Sequence, residues 1–134
     1  MKSFELTSEP LAGLTTGVVI RIRGELDMRV TSKLKEEFNA IIGTQTTHAL
    51  IYLDDVTFID SHNLGVFVGA YQKVRSRSGW IGIICTQPYL RRVFDITNLD
   101  KLFRFFESPQ AFLDALAQDR LLPPDASARD AVTL

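Results

Sequence analysis

The sequence predicts a single α/β domain, in which about four helices pack on a mixed sheet of about five strands. Two observations carry this prediction. Near the N-terminus, two short segments alternate apolar and polar residues, as strands with one buried face do. Further along, two nearly continuous apolar runs flank a segment of helical periodicity, which is typical of a strand–helix–strand unit in a parallel sheet. A length of 134 residues suits one such domain.

The two alternating segments come first. "SFELTS" places Phe4 and Leu6 on one face, and "VVIRIRG" does the same with Ile20 and Ile22. Gly13 lies between the segments, where a turn is expected. We therefore predict an antiparallel pair at one edge of the sheet.

The middle of the chain predicts two helices and two inner strands. "DMRVTSKLKEEFNAIIG" has apolar residues at helical spacing, and Gly43 stands where this first helix would end. "HALIYL" and "WIGIIC" predict strands that are covered on both faces, and "NLGVFVGAYQKVRSRSG" predicts the helix between them. Such a parallel pair requires a right-handed crossover. We expect Gly65 and Gly69 to pack this helix closely on the sheet, because neither residue has a side chain.

The C-terminal part completes the fold. "PYLRRVFDI" predicts a short third helix and "LFRFF" a short last strand. "SPQAFLDALAQ" predicts a closing helix with Ser108 as its N-cap and Pro109 at its first position. Helical periodicity is then lost, so we predict a domain over residues 1–118 and a flexible tail over residues 119–134.

Composition and charge argue against several classes of function. A net charge of −1 does not favour nucleic acid as a partner. The basic stretches "KVRSRSGW" and "LRRVF" are interpreted as solvated helix ends. We expect a cytoplasmic protein without a membrane partner, because no apolar run approaches ~18 residues and the N-terminus lacks a signal-peptide core. The single cysteine, Cys85, lies in an apolar run and is expected to be a buried, reduced thiol.

The stretch "FIDSHNLGVF" places a hydroxyl, Ser61, between an inner strand and the second helix. A hydrolase nucleophile at such a junction would follow a G-x-S-x-G pattern, but Ile59 and Asn63 stand where its glycines would be. His62 points away from its neighbour, and His48 lies roughly 20 Å away across the strand "HALIYL" at ~3.3 Å per residue. The sequence therefore predicts no catalytic triad.

The acidic stretch "LDDVTF" leaves two interpretations open. Asp54 and Asp55, with Asp60 nearby, could ligate a hard metal or take part in phosphotransfer. Alternatively they form a polar loop that leaves a buried strand, which is the interpretation we favour. No G-x-x-x-x-G-K phosphate loop occurs in the sequence. We expect no enzyme activity, no metal and no cofactor.

Ser61 would stand at a helix N-terminus, where unpaired N–H groups favour an anion. Ser61 or Asp60 could cap this helix, and capping does not exclude a further role. A phosphate on Ser61 would add about −1.5 to −2 charge, which the helix can accept. A partner docked over the site would have to desolvate that charge. Phosphorylation is therefore predicted to control association and to leave the fold intact.

Three segments together resemble the STAS domain of anti-sigma factor antagonists: "GELD" at residues 24–27, "FIDSHNLGV" at 58–66 and "RRVFDITNLDKLFRFF" at 91–106. The resemblance extends over about residues 4–118. It implies a cytoplasmic bacterial regulator that binds an anti-sigma factor with a histidine-kinase-like ATPase fold and frees the sigma factor. The same kinase would phosphorylate the serine of a "DSSG"-like motif and end the complex, and a PP2C-type phosphatase would restore it.

The resemblance assigns Ser61 as the phosphate acceptor. It also implies a partner-binding surface, which consists of Asp27, Asp60, Ser61, His62, Asn63, Leu64, Gly65, Gln87, Pro88 and Tyr89. Asp27 equally fits a polar turn before the first helix. The expected assembly state is a monomer or a weak dimer.

Two residues depart from the "DSSG" motif. His62 replaces a second hydroxyl and would place a titratable ring beside any phosphate. Asn63 replaces glycine, and asparagine is the least costly substitute if that position needs a positive φ. These departures keep open an alternative function, a STAS scaffold or adaptor that does not switch and works in a signalling or transport complex.

Overall fold

The structure is a computed structural model that describes residues 4–118. The predicted tail at 119–134 lies outside the described residues. Five strands are present in this range: β1 Phe4–Pro10, β2 Gly17–Leu26, β3 His48–Ile59, β4 Trp80–Ile84 and β5 Arg104–Phe105. The four helices are α1 Thr31–Ile42, α2 Ser61–Arg75, α3 Pro88–Ile96 and α4 Pro109–Ala117, and a 3-10 turn spans Leu99–Lys101.

The five strands form one mixed sheet in the order β1-β2-β3-β4-β5. β1 pairs with β2 antiparallel, and each later pair is parallel. The parallel strands are added in sequence order, with α1, α2 and α3 as the successive crossovers. Right-handed crossovers that step in one direction place their helices on the same face of the sheet. The predicted α/β class, with an antiparallel edge and a parallel centre, is confirmed.

Alternation along the strands builds a separate apolar cluster on each face. Ile20, Ala49, Ile51 and Ile83 pack in a cluster with residues of α1, α2 and α3. Their neighbours along the strands, including Leu50, pack instead against Phe112 of α4 and its surroundings. The sheet is therefore covered on both faces, as the apolar runs predicted.

The acidic stretch is not a loop, so our favoured interpretation of Asp54 and Asp55 is wrong. Both residues lie within β3, which continues to Ile59. Pairing with β2 keeps this polar segment extended, because Asp55 lies opposite Arg23 and Ile59 lies opposite Leu26.

The packing role expected for Gly65 and Gly69 is also wrong. A β-carbon added at either glycine would meet no atom within 4 Å among the described residues. The buried residues of α2, which include Phe67, Tyr71 and Val74, face the core. The two glycines therefore lie off that face, beside α1.

The basic residues at the C-terminal end of α2 are not simply solvated. The guanidinium group of Arg77 donates to the carbonyl oxygens of Gly43 at 2.6 Å and Thr46 at 2.8 Å. These carbonyls follow α1, so Arg77 satisfies acceptors at a helix C-terminus. The guanidinium carbon of Arg75 lies 3.8 Å from the ring centroid of Trp80. Cys85 is buried as predicted, and burial raises the pKa of its thiol.

Candidate functional site at the carboxyl edge of the sheet

The topology gathers the predicted site residues at one edge of the sheet. The parallel strands β2, β3 and β4 all end at this edge, and α1, α2 and α3 begin there. Ligands of open α/β sheets usually bind outside the carboxyl ends of the strands. The segments around Asp27, Ser61 and Gln87 are therefore brought to the same side of the molecule.

Ser61 is the first residue of α2, and its side chain is exposed. Asp60, with extended backbone (φ −102°, ψ 177°), is the N-cap, and its carboxylate accepts a hydrogen bond from the backbone N–H of Asn63 at 3.0 Å. Of the two capping residues that the sequence allowed, Asp60 is therefore the cap. Within residues 4–118, the hydroxyl of Ser61 has no hydrogen-bond partner, so the fold does not depend on it.

Asn63 joins α2 to the end of β2. Its side chain is fully buried, and its Nδ2 donates to the carbonyl oxygens of Leu26 at 2.9 Å and Asp27 at 3.0 Å and to Asp60 Oδ1 at 2.8 Å. The backbone N–H of Asp60 also donates to the carbonyl oxygen of Leu26, at 3.1 Å. These bonds hold the GELD segment against the segment that carries Ser61.

The backbone of Asn63 is helical, so this position does not need the positive φ under which asparagine would be the least costly substitute for glycine. Among residues 4–118, the non-glycine residues with positive φ are Ser78 and Asn98. The fold uses the side-chain amide of Asn63, which a glycine could not supply.

Asp27 forms a turn before α1, in agreement with the second of its two interpretations. Its carboxylate accepts hydrogen bonds from the backbone N–H of Arg29 at 2.9 Å and from the guanidinium Nη2 of Arg29 at 2.6 Å. The backbone N–H of Val30 donates to the carbonyl oxygen of Asp27 at 3.0 Å. The hydrogen bonds from the Arg29 side chain lower the pKa of the Asp27 carboxyl group. A contact between Asp27 and a partner stays a prediction.

The side chain of Gln87 supplies hydrogen bonds that a neighbouring strand would otherwise supply to β3. β4 ends at Ile84 while β3 continues, so carbonyl groups on that side of β3 have no strand partner. The side-chain Nε2 of Gln87 donates to the carbonyl oxygens of Asp54 and Val56, the latter at 2.7 Å. Next to it, the Asp54 carboxylate accepts from the backbone N–H of Thr86 at 2.6 Å. Sequence reasoning missed these structural roles of Gln87 and Asp54.

Exposed apolar side chains border the same edge. Met28 is 65% exposed, Phe58 42% and Tyr89 45%. They lie just before α1, at the end of β3 and in the first turn of α3. Large exposed apolar side chains that gather on one side of a domain are typical of a docking surface. Of the predicted segment 60–65, His62 and Gly65 are exposed, whereas the side chain of Leu64 belongs to the core.

The structure does not bring His48 to Ser61. His48 is the first residue of the twelve-residue strand β3, and Ser61 comes two residues after its last, so the two lie about 40 Å apart at ~3.3 Å per residue. Within residues 4–118, no three His, Cys, Asp or Glu side chains converge as metal ligands. None of the helices in that range is both long enough and apolar enough to cross a bilayer.

The structure is thus a small α/β domain with an exposed hydroxyl on a helix N-terminus and exposed apolar side chains on the same side of the molecule. The family model of the STAS domain matches residues 10–111. The chain therefore belongs to the STAS domain family.

Known proteins resemble the chain in sequence and structure. The anti-sigma-B factor antagonist of Bacillus subtilis is 34% identical over 82 residues, which cover 61% of this chain and 74% of that protein. The crystal structure of an anti-sigma factor antagonist from Mycobacterium paratuberculosis superposes with a TM-score of 0.71 at 27% identity, covering 89% of this chain and 96% of the other. The phosphorylated form of the Bacillus cell fate determinant SpoIIAA has the same fold, with a TM-score of 0.60 at 22% identity over 84% of this chain and 98% of the other.

Proposed function

We propose that this chain is an anti-sigma factor antagonist in a partner-switching pathway, whose unphosphorylated form binds an anti-sigma factor and whose phosphorylation at Ser61 releases it. The proposal takes its partner from the names of the relatives at 34% and 26% identity, which are antagonists of anti-sigma factors. One observation carries the switch: the hydroxyl of Ser61 is exposed on the first residue of α2, and Asp60 performs the capping. A phosphate can therefore be added without loss of a structural hydrogen bond.

The physical effect of a phosphate favours release of a partner over unfolding. The first turn of α2 offers N–H groups and a positive dipole end to a charge of about −1.5 to −2. A partner seated on Ser61 would instead have to desolvate that charge beside the carboxylate of Asp60. A penalty of only ~3 kcal/mol weakens binding more than a hundredfold. That SpoIIAA has been solved in a phosphorylated form supports the view that this fold accepts the modification.

The proposed partner surface combines the three segments at the carboxyl edge. Ser61, His62, Gly65 and the exposed residues Pro88 and Tyr89 would contact the anti-sigma factor directly. Other residues of this surface already form hydrogen bonds within the fold and would position the contacting residues: Asp27, Asp60, Asn63 and Gln87. Leu64 would support them from the core. We further propose that the anti-sigma factor has a histidine-kinase-like ATPase fold and phosphorylates Ser61. A PP2C-type phosphatase would remove this phosphate. The chain would act in the cytoplasm as a monomer or weak dimer.

The test is phosphorylation by, and binding to, a candidate anti-sigma kinase taken from the genes that neighbour the gene for this chain. Incubation with that kinase and ATP should add one phosphate, located on Ser61 by mass spectrometry. Ser61→Asp should weaken binding at least about tenfold, whereas Ser61→Ala should bind but take up no phosphate. Ser8→Asp is the matched control, because it adds the same charge at an exposed position of β1. Absence of phosphate on Ser61, together with wild-type binding by Ser61→Asp, contradicts the proposal.

The departures from the usual motif favour a second candidate, a STAS scaffold or adaptor that is not switched. His62 and Asn63 leave Ser61 as the one hydroxyl in residues 60–65. For such a scaffold, Ser61→Ala and Ser61→Asp would both bind the partner as wild type does. Loss of partner binding would then follow only from substitutions elsewhere on the surface.

A further inference from the structure

A groove lies between α1 and α2 on the helical face of the sheet. Its volume is about 380 Å³. The lining residues run from Thr31 to Ile42 on α1 and from His62 to Lys73 on α2. At ~1.5 Å per residue, each wall is about 17 Å long. The groove is therefore elongated and begins directly beside Ser61.

Gly65 and Gly69 keep this groove open without serving the fold. Both lie inside α2, where glycine is a poorer helix former than any residue except proline. Neither has a positive φ, and a β-carbon at either position would meet no atom within 4 Å among the described residues. The fold would therefore accept alanine at both positions. The remaining effect of the glycines is to leave room for something that approaches α2 closely.

The groove carries positive charge in a chain whose net charge is −1. Two of the residues that line it, Lys35 and Lys73, carry a positive charge, and none of the described residues that line it is acidic. Lys73 Nζ donates to Asn39 Oδ1 at 2.6 Å, a neutral partner that leaves the ammonium charge uncompensated. Within residues 4–118, Lys35 has no ion-pair partner. Acidic groups complement this surface.

We propose that the groove receives an extended acidic segment of the anti-sigma factor. This inference rests on the proposed function and adds a second contact to it. An extended chain of about five residues spans the groove at ~3.3 Å per residue. Its carboxylates would pair with Lys35 and Lys73, and its backbone would lie over Gly65 and Gly69. His62 and Gly65 belong both to the groove and to the surface around Ser61, so one partner reaches both.

The proposed contact also explains how a phosphate at Ser61 would act on the partner. Ser61 precedes the groove residue His62, so its phosphate would lie at the groove entrance. A dianion there would repel an acidic segment, in addition to the desolvation it imposes.

Filling the groove is the direct test. Gly69→Leu places a side chain where the acidic segment would lie, and Ala40→Leu is the matched control, since it adds similar bulk on an exposed part of α1 that does not line the groove. Binding of the full chain to the purified anti-sigma factor used in the phosphorylation test would be measured by isothermal titration calorimetry. Gly69→Leu should bind at least about tenfold more weakly, and Ala40→Leu should bind like wild type. The Tm of Gly69→Leu should be no lower than that of wild type, because glycine is the poorer helix former.

Charge reversal provides the second test. Lys35→Glu combined with Lys73→Glu should weaken binding at least about tenfold and reduce its salt dependence, whereas Lys101→Glu, the same change outside the groove, should do neither. If wild type does not bind the anti-sigma factor, the proposed function and this inference both fail. If wild type binds and Ser61→Asp releases it, but the groove variants bind like wild type, only the groove inference is overturned. It is also overturned if Gly69→Leu changes self-association in sedimentation and leaves partner binding intact.

Discussion

Asn63→Asp isolates what the buried amide of Asn63 does. Aspartate has nearly the same shape, so the exchange creates no cavity, but it replaces the donating Nδ2 with an oxygen. That oxygen would face the carbonyl oxygens of Leu26 and Asp27 and the carboxylate of Asp60, which now lie 2.9, 3.0 and 2.8 Å from Nδ2. Three attractive contacts would become repulsive ones.

The expected loss of stability follows from these contacts. The two N–H groups of Nδ2 are shared among these three acceptors. Each hydrogen bond contributes about 1 kcal/mol net, so about 2 kcal/mol is lost before the buried charge is considered. A carboxylate without a partner in this fully buried position adds a further penalty at pH 7. Asn63→Ala loses the same bonds but introduces no repulsion. We therefore expect Asn63→Asp to be more destabilising than Asn63→Ala at pH 7, although it preserves the volume.

The dependence on pH has a definite sign. Burial raises the pKa of the introduced carboxyl group above its value of about 3.9 in the unfolded chain. The extra penalty is then absent below the unfolded pKa and grows as the pH rises toward the folded pKa. Asn63→Asp should therefore approach Asn63→Ala in stability near pH 4 and fall below it at pH 7.

Urea unfolding, followed by far-UV circular dichroism, measures these differences. Asn39→Asp is the matched control: Asn39 is exposed, and its Oδ1 already accepts from Lys73 at 2.6 Å, so a carboxylate keeps that bond. It should change stability by no more than about 0.5 kcal/mol. If Asn63→Asp is as stable as wild type, or is more stable than Asn63→Ala at pH 7, the amide of Asn63 is not the donor that joins β2 to α2.

Three further predictions concern stability. Gly65→Ala combined with Gly69→Ala should raise the free energy of unfolding by about 1–2 kcal/mol and the Tm by several degrees. Alanine is the better helix former, and the new methyl groups meet open space. A lower Tm in a calorimetric scan would contradict this geometry. Burial lowers the pKa of His48 below its ordinary value of 6.5, so the unfolded chain binds the proton more readily than the folded one. The free energy of unfolding should therefore fall as the pH drops below 6.5. Urea unfolding should show a weaker pH dependence in His48→Asn than in wild type, and an unchanged pH dependence would refute this assignment. Gln87→Ala should destabilise the protein by about 1–3 kcal/mol, since the carbonyls of Asp54 and Val56 lose their donor. The control Gln72→Ala, at an exposed position of α2, should change stability by less than about 0.5 kcal/mol. Equal urea midpoints for the two variants would show that the Gln87 side chain does not stabilise the end of β3.

Elements with a strong local signal were predicted from the sequence. α4 is an example: Ser108 is its N-cap, accepting from the backbone N–H of Ala111 at 3.1 Å, and Pro109 is its first residue, as expected. Capping and helical periodicity depend on residues a few positions apart, so one sequence contains the information.

The second half of β3 was missed because its pattern is not local. The register with β2 shifts between Arg21 and Arg23 and again between Gly24 and Glu25. Each shift adds a residue to β3, so the buried side chains no longer alternate with exposed ones. Only the partner strand reveals that the segment is extended.

The glycines of α2 show the opposite case, because their position relative to the apolar stripe follows from local helical spacing. At about 100° per residue, Gly65 lies a quarter turn round the helix from Leu64, and Gly69 lies further still. The apolar stripe that includes Leu64 and Phe67 is buried, so the spacing alone places both glycines away from the sheet.

The residues of the candidate site divide into two groups that demand different experiments. Asn63 and Gln87 bond to backbone atoms of other segments, and Asp60 caps its own helix. Substituting any of the three therefore changes the fold and the proposed surface together. A loss of partner binding in those variants has to be compared with their loss of stability. Ser61 and Tyr89 are exposed, and within residues 4–118 no side-chain hydrogen bond ties either one to the fold. A change in binding at these two positions therefore reports on the partner itself, because the domain does not depend on their side chains.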